Sequence, residues 1–377
     1  MEDILNFNTA LFALWIFFIL MTVIYLAYYL AIFIRLGFYK EKKTNKLYHP
    51  LSVVICAKNE AKNLKKNLAD VLDQDYPNFE VIVVNDGSWD GTQEVLEEIQ
   101  KDYPQLRISG TNSLDNDLMN GGKKFAQTIG IKAAKYEWIV FTDADCKPVS
   151  KLWLRKMNAA MTDDIEIVLA YGPYDKQSGF LNQLIRFDTF HVGLQYLSYA
   201  LAKMPYMGVG RNMAYRKTLF FKHKGFAAHM HIPSGDDDLF VNAAATSDNC
   251  AIVSDEESWC FSTPESSFSD WIKQKRRHYN TASLYQFKHK VLLALYPMCQ
   301  WVFWLGFLLL LVFDYQTQMV LSIFVAKYLI QFYTNLRASS KLGDKSLVYL
   351  SPIYELVLLL IGTLVVLMNV FSKPKKW

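Results

Sequence analysis

Residues 138–148 read WIVFTDADCKP. A short, largely apolar run, Trp138 to Phe141, leads through Thr142 into two aspartates one residue apart. In an extended chain the side chains alternate faces, so Asp143 and Asp145 project together. Two carboxylates held that close repel unless one is protonated or a cation lies between them. The chemistry such a pair offers is divalent-metal binding; the competing reading is a solvated acidic turn. Two more hydrophobic runs end in polar, acidic turns: LSVVIC is followed by Lys58-Asn59-Glu60, and FEVIVV by Asn85-Asp86-Gly87-Ser88.

The elements that must position these groups alternate. LSVVIC (51–56) is a β-branched run, and NEAKNLKKNLADVL after it has helical spacing. FEVIVV (79–84) is a second strand, followed by a charged helix near 90–101. GGKKFAQTIGIKAAKY reads as a third helix, and EWIVFT as the strand before the aspartate pair. Strand and helix in this rhythm predict a parallel sheet covered by helices, with strands apolar on both faces. Ligands of such sheets bind beyond the carboxyl ends of the strands. Carboxylates at three turns of one sheet edge favour the metal reading over solvation. No GxxxxGK[ST] is present, and no GxGxxG follows a strand, so a phosphate cradle of backbone amides is not expected. A nucleotide here would need its diphosphate neutralised by a cation, Mg²⁺ or Mn²⁺, which typically combines one or two carboxylates with phosphate oxygens.

Of the 377 residues, 52% are hydrophobic and 15% aromatic, high for a soluble chain. The excess lies at the two ends. Residues 11–34 carry no charge and, as a helix, reach about 36 Å, enough to cross a bilayer. The acidic start (Glu2, Asp3) and the length of the run argue against a signal peptide. Residues 291–313 form a second uncharged span, 348–371 a third interrupted by Glu355, and 319–334 a weaker one interrupted by Lys327. Basic residues after the first span (Arg35, Lys40, Lys42, Lys43, Lys46) and before the second (Arg276, Arg277, Lys288, Lys290) place the long middle segment in the cytoplasm of a multi-pass protein of the inner or cell membrane. With four crossings the tail bearing Lys373, Lys375 and Lys376 would fall outside, against that rule; either 319–334 does not cross or the tail is an exception. Lys327 and Glu355 lie at similar depth in antiparallel helices and are expected to pair, since an unpaired intramembrane charge is costly. The competing reading for Lys327 is snorkelling to the interface. Five scattered cysteines suit a reducing compartment and suggest no zinc site. The net charge of +4 and the absence of a basic, aromatic-interleaved stripe argue against nucleic acid as a partner.

Over roughly residues 50–280 the chain resembles the family 2 glycosyltransferases, inverting nucleotide-sugar enzymes of GT-A fold. LSVVICAKNEAKNL is similar to the family's first strand and turn, VIVVNDGSWDGT to its second strand with the base-contacting aspartate (Asp86), and GGKKFAQTIGI to its GKxxALNxGI helix (Lys123). FTDADCKP resembles the DxD metal motif, GVGRNMAYRK the acceptor loop (Gly210, Asn212), SGDDDLF the segment of the catalytic base, and QKRRHY the QxxRW motif through Gln274 and Arg277. Two departures stand out: Lys58 occupies a position often aromatic, and His278 stands in place of the tryptophan. In processive polysaccharide synthases that tryptophan helps hold the acceptor.

The resemblance implies an α/β fold: a GT-A (Rossmann-like, mostly parallel sheet) cytoplasmic catalytic domain at 48–286. An N-terminal membrane helix and basic linker (1–47) precede it, and a C-terminal membrane region (287–377) follows. It implies transfer from a nucleotide-sugar donor to a lipid, lipid-linked or saccharide acceptor, with Asp145 and Asp143 on Mg²⁺ or Mn²⁺ and Glu60, Asp86, Lys123, Asp143, Gln274 and Arg277 around the donor. The base is Asp237 or Asp236, because the family pattern fits the triplet in two registers; Gly-Asp-Asp resembles the family's Thr-Glu-Asp and favours Asp237. Blander readings compete: a helix cap for the triplet, an Asx turn for Asp86, a capping acid for Glu60, a solvated helix start for Lys123, and a membrane-facing basic surface for Gln274 and Arg277. Segment 180–203 reads as core or as an interfacial helix lining an acceptor groove. A processive polysaccharide synthase is the alternative; a nucleotidyltransferase or an inactive membrane scaffold fits less well.

Overall fold

The computed structural model describes residues 2–41, 47–111, 122–232 and 234–372. Lys42, Lys43, Lys46, Lys373, Lys375 and Lys376 lie outside the described residues. Among the described residues nine strands form: β1 Leu51–Ala57, β2 Phe79–Asn85, β3 Leu106–Gly110, β4 Trp138–Phe141, β5 Lys147–Pro148, β6 Ile167–Ala170, β7 Met213–Arg216, β8 Cys250–Val253 and β9 Cys260–Phe261. The main sheet runs β3-β2-β1-β4-β7-β6-β8, parallel except for β7, which is antiparallel to both neighbours. β5 and β9 make a separate two-stranded ribbon.

Alternation assigns each strand residue to a layer. Val54, Ile82, Val84, Ile139 and Phe141 belong to the core shared with the membrane-side helices; Val53, Ile55, Val81, Val83 and Val140 belong to the core on the opposite face. Burial on both faces is why these strands read as unbroken apolar runs. Ala57 pairs with Asn85, and Phe141 with Val54, so the turns after β1, β2 and β4 emerge at one edge.

The helices, in chain order, begin with α1 Glu2–Ala27, which passes through a π-helical turn, Tyr28–Phe33, into α2 Ile34–Phe38. Next come α3 Ala61–Leu72, α4 Thr92–Gln100, α5 Gly122–Ala133, α6 Trp153–Ala159, α7 Phe180–Leu201, α8 Lys217–Lys222, α9 Asp238–Ala244 and α10 Phe268–Thr281. α11 Phe287–Val312, α12 Thr317–Leu342, α13 Lys345–Val348 and α14 Ser351–Phe371 complete the chain. Among the described residues four stretches are long and apolar enough to cross a membrane: Phe7–Phe38, Phe287–Val312, Thr317–Leu342 and Ser351–Phe371. The weak segment 319–334 therefore lies within a helix of 26 residues.

α7 lies under the membrane helices. Ser198 donates to the Phe33 carbonyl, and Arg186 donates to Asp344 at 3.2 Å. α14 docks on α10: Arg276 Nε donates to Asn369 Oδ1 at 2.9 Å, Asn369 Nδ2 donates back to the Arg276 carbonyl, and Gly362 leaves room for the Tyr279 hydroxyl.

The expected Lys327–Glu355 ion pair is replaced by a bridged arrangement. Both side chains are buried, but no contact within 4 Å joins them among the described residues. Glu355 instead accepts from Tyr25 and Tyr29 at 3.4 and 3.1 Å. Lys327 lies over the rings of Tyr25, Phe303 and Tyr328, at 4.8, 4.8 and 3.9 Å. Tyr25 touches both partners, so the charges communicate through its ring and hydroxyl.

α5 approaches the sheet closely because Gly130 has no side chain. A Cβ there would lie 2.5 Å from Val54 Cγ1 and 3.1 Å from Val84 Cγ2. Overpacking a closed core costs about 1–3 kcal/mol. Gly130→Val is therefore expected to lower the thermal unfolding midpoint of the purified chain. A midpoint equal to the parent's would show that α5 does not sit this close.

Candidate active site

The turn after β4 presents Asp143 and Asp145, both half-buried. Ser262 Oγ, just after β9, donates to Asp145 Oδ2 at 2.6 Å. Asp143 Oδ1 receives the ammonium of Lys123, from the start of α5, at 2.7 Å. The same ammonium lies 3.4 Å from Asp236 Oδ2. Burial acts to raise Asp143, but Lys123 more than offsets it and holds that carboxyl below its ordinary value. Asp145 has no such cation: burial and then the neighbouring Asp143 charge push it up. Burial acts against the Lys123 ammonium, yet Asp143 and Asp236 keep it firmly protonated. The solvated-helix-start reading of Lys123 therefore fails. Its neighbour Lys124 points elsewhere and donates to the carbonyls of His229 and Ile232.

Ligand atoms of Asp143, Asp145 and Cys146 lie within 4.8 Å of one another. Burial pushes the Cys146 thiol well up, so it stays protonated and is no partner for a hard cation. The two carboxylates, one of them kept ionised by Lys123, are the oxygen donors that Mg²⁺ or Mn²⁺ favours.

The turns after β1 and β2 interlock. Asn59 accepts from the Trp89 amide and Ser88 Oγ accepts from the Asn59 amide. The Asx turn is made by Asn85, whose Oδ1 accepts from Ser88 N, which leaves the Asp86 carboxylate to Lys58 at 3.6 Å and Thr111 at 3.1 Å. Glu60 precedes α3 but caps no backbone amide; it accepts from the Asn63 side chain at 2.6 Å. Burial raises it above its ordinary value.

The acidic triplet divides its work. Asp238 accepts from Tyr285 Oη at 2.7 Å, from Thr281 Oγ1 and from the Leu239 amide, so it ties α9 to the end of α10. Asp236 faces Lys123. Asp237 caps α9 through the Asp238 amide and accepts from the Gly210 amide at 2.7 Å. Burial, then the charges of Asp236 and Asp238, push Asp237 up to about 7.

The acceptor-loop residues part company. Gly210 lines the cavity, whereas Asn212 is fully buried and does not: its amide donates to the carbonyls of Tyr171 and Ser258, and its carbonyl accepts from Trp153 Nε1. The expected acceptor contact of Asn212 is thus corrected to a loop-fixing role. Between them stands Arg211, which the sequence reading passed over. Its guanidinium packs over the Tyr174 ring at 4.4 Å, donates to the Gly172 carbonyl and lowers both Asp143 and Asp145. The one available signal was a cation flanked by the two motif residues.

Gln274 and Arg277 from α10 line the same cavity, with Gln274 between Tyr174 and Glu265 at 3.5 Å each. Lys275 pairs with Asp188 of α7 at 2.6 Å and fixes α10 against α7. His278 also faces the cavity; burial, then Arg211 and Arg277, push its imidazole down to about 4, so it is neutral. The cavity measures about 1380 Å³. It runs from Glu60, Asp86 and the Asp143–Asp145 pair past Asp237 to residues of α11 and α14, among them Trp301, Leu305, Thr363 and Val366.

Comparison with known proteins agrees with this layout. Residues 52–224 match the family model Glycosyl transferase family 2. A poly-beta-1,6-N-acetyl-D-glucosamine synthase of Staphylococcus epidermidis is 34% identical over 118 residues, 29% of this chain and 27% of that protein. The glycosyltransferase AglE of Haloferax volcanii is 36% identical over 108 residues, 28% of this chain and 33% of the other. The chain thus spans about a third or less of the length of these curated relatives. A solved structure, the mannosyltransferase PcManGT of Pyrobaculum calidifontis in complex with GDP-Man and Mn²⁺, superposes over 92% of this chain and 98% of its own at TM-score 0.57 and 16% identity, a likeness of fold. With its GT-A sheet, its ordered motifs and its matching family model, the segment 52–224 is a family 2 glycosyltransferase domain.

Proposed function

We propose that this protein is a membrane-bound, inverting glycosyltransferase that moves a sugar from a nucleotide-sugar donor to a lipid or lipid-linked acceptor. The observation that carries the reading is the single cavity joining the carboxylates at the sheet edge to α11 and α14. Met298, Leu305, Val366 and Leu367 line it and are also about half exposed, so it opens sideways between apolar helix faces. An acceptor with an apolar tail can enter there without leaving the bilayer. A second reading, a processive polysaccharide synthase, is favoured by the name of the Staphylococcus epidermidis relative; His278 in place of tryptophan counts against it.

Asp86, Glu60 and Lys58 are placed for the nucleoside end of the donor. Lys123 and Arg211 bring positive charge to the diphosphate, and Arg277 and Gln274 cover it from α10. Asp143 and Asp145 would hold Mg²⁺ or Mn²⁺, which when bound supplies Lewis-acid stabilisation of the leaving diphosphate. The acceptor oxygen attacks the anomeric carbon from the face opposite the diphosphate, the carbon–oxygen bond to phosphate breaks, and the hydroxyl proton passes to Asp237. A carboxylate raised to about 7 is matched to that proton transfer near neutral pH. Asp236, held to Lys123, is the less suited of the two candidates.

The mapped packing also supports an orientation. α1, α11 and α12 cross the membrane, and the catalytic domain is cytoplasmic. The end of α14 is held to α10 of that domain by Arg276, Asn369 and Ser372. α14 then lies along the membrane surface, and the basic tail stays on the cytoplasmic side, as the positive-inside tendency requires. A reporter fused after Trp377 should behave as cytoplasmic; a periplasmic or external signal would refute this path for α14.

Nucleotide release by purified full-length protein, screened over nucleotide sugars with Mn²⁺ and with or without membrane lipid extract, tests the function. A lipid-dependent signal is expected, and Asp145→Asn should reduce it by at least about 100-fold. Equal rates for the two proteins would point to a scaffold. For the parent, kcat/KM should rise as pH rises through about 7, because Asp237 below that pH is already protonated and cannot accept the proton. Asp237→Asn should remove this rise and cost about 10²–10⁴-fold in rate. An unchanged profile in that variant would transfer the role to another group.

A further inference from the structure

Where the cavity meets the membrane helices it is not lined by apolar groups alone. Glu355 of α14, Tyr296 and Gln300 of α11, and His191 and Gln195 of α7 converge on it. Glu355 accepts from Tyr29 at 3.1 Å and from Tyr25 at 3.4 Å, and Tyr29 and Tyr296 share a hydrogen bond of 3.0 Å. These contacts take one lone pair on each carboxylate oxygen, and a carboxylate has about four lone-pair sites, so about two stay open. Gln195 Nε2 lies 2.9 Å from His191 Nε2, which must accept from the amide; the imidazole proton is then on Nδ1, which is buried and has no partner. Pro297, which also lines the cavity, carries no N–H, so the Leu293 carbonyl one turn earlier lacks its intrahelical donor. Donors and acceptors are therefore spare where the cavity meets the membrane helices, and unmatched buried polar groups are costly and often mark a substrate path.

We propose that this cluster is a second subsite, which binds the hydroxyl groups of a saccharide carried on the lipid acceptor, between its reacting end near Asp237 and its apolar tail. The proposal rests on the lipid-acceptor reading and names the acceptor's head group. Spare lone pairs on Glu355 and the Leu293 carbonyl match hydroxyl donors. The His191 N–H and the Gln300 amide match hydroxyl oxygens. The faces of Tyr296 and Trp301 offer apolar surface to the C–H side of a sugar ring. An anionic head group is disfavoured, because Glu355 would repel it and Lys327 lies behind the Tyr25 ring, outside the cavity lining. The amphiphile that fits is uncharged and hydroxylated where it passes Glu355.

The test is photolabelling of full-length protein in nanodiscs with a diazirine-bearing decyl β-glucoside, followed by peptide mapping. Labelling is expected on the α11 segment around Tyr296–Trp301 and the α14 segment around Glu355–Thr363. Excess decyl glucoside should suppress it and decyl phosphate should not. Glu355→Gln keeps the size and an acceptor oxygen for one tyrosine, while the other hydroxyl must turn to accept from the new amide; it removes the charge and should cut labelling about tenfold. In the transfer assay it should raise the acceptor KM while leaving acceptor-independent nucleotide release unchanged. Gln300→Leu, which disturbs no hydrogen bond among the described residues, should also weaken labelling, and it serves if Glu355→Gln does not fold. Equal labelling of parent and variants, or equal competition by decyl phosphate, would overturn the subsite. Site-specific labelling by a protein that transfers no sugar would instead overturn the function proposed above and leave the subsite standing.

Discussion

The site depends on one ammonium. Lys123 sits 2.7 Å from Asp143 and 3.4 Å from Asp236, and it joins the turn after β4 to the start of α9. Without it, Asp143, Asp145 and the three acids at 236–238 would place five carboxylates around one enclosed space with Arg211 as the main counterweight. At close range in a partly buried setting each like-charge pair costs several kcal/mol. The fold accepts this concentration because α5 delivers the cation from the floor of the cavity, and α5 can lie that close to β1 because residue 130 is glycine. A backbone contact between helix and sheet thus sets an electrostatic distance at the site.

The second constraint is the attachment of the catalytic domain to the membrane helices. Arg186 pairs with Asp344 and Arg276 hydrogen-bonds the end of α14, while the buried Lys275–Asp188 pair locks α10 to α7. All involve α7 or α10, the two helices that also line the cavity. Buried ion pairs contribute little net stability but strongly disfavour alternative arrangements. Their role here is to fix the angle at which the cavity meets the apolar helices, and in the proposed reaction that angle sets how an acceptor reaches Asp237 from the bilayer.

Much of this was legible in the residues. β1, β2 and β4 are β-branched runs buried on both faces, so their apolar continuity is a direct signal, and the Asp143–Asp145 spacing follows from strand geometry. β3 (LRISG) was not legible because its exposed edge leaves few apolar residues. The four-residue strands β6 to β8 were missed because their pairing is long-range, and the reversal of β7 has no local cause. Apolarity located Ser351–Phe371 but could not report that its end is tied to α10. The supposed Lys327–Glu355 pair had the right depth but lacked the intervening Tyr25, contributed by a helix some three hundred residues away in sequence.

The acidic triplet shows why sequence register could not choose a base. Three consecutive aspartates have nearly the same local propensity, and all favour a helix start. Their fates diverge only through tertiary partners. Asp236 meets an ammonium, Asp238 meets two hydroxyls and an amide, and Asp237 meets two backbone amides and no cation. Burial raises both Asp237 and Asp238; at Asp238 its hydroxyl and amide donors act against the rise, and at Asp237 the charges of Asp236 and Asp238 add to it. The middle residue is the one left with its charge least compensated and its oxygen beside the glycine loop. The property that suits a carboxylate to taking a proton is therefore not its own but the residue of what its neighbours have already claimed.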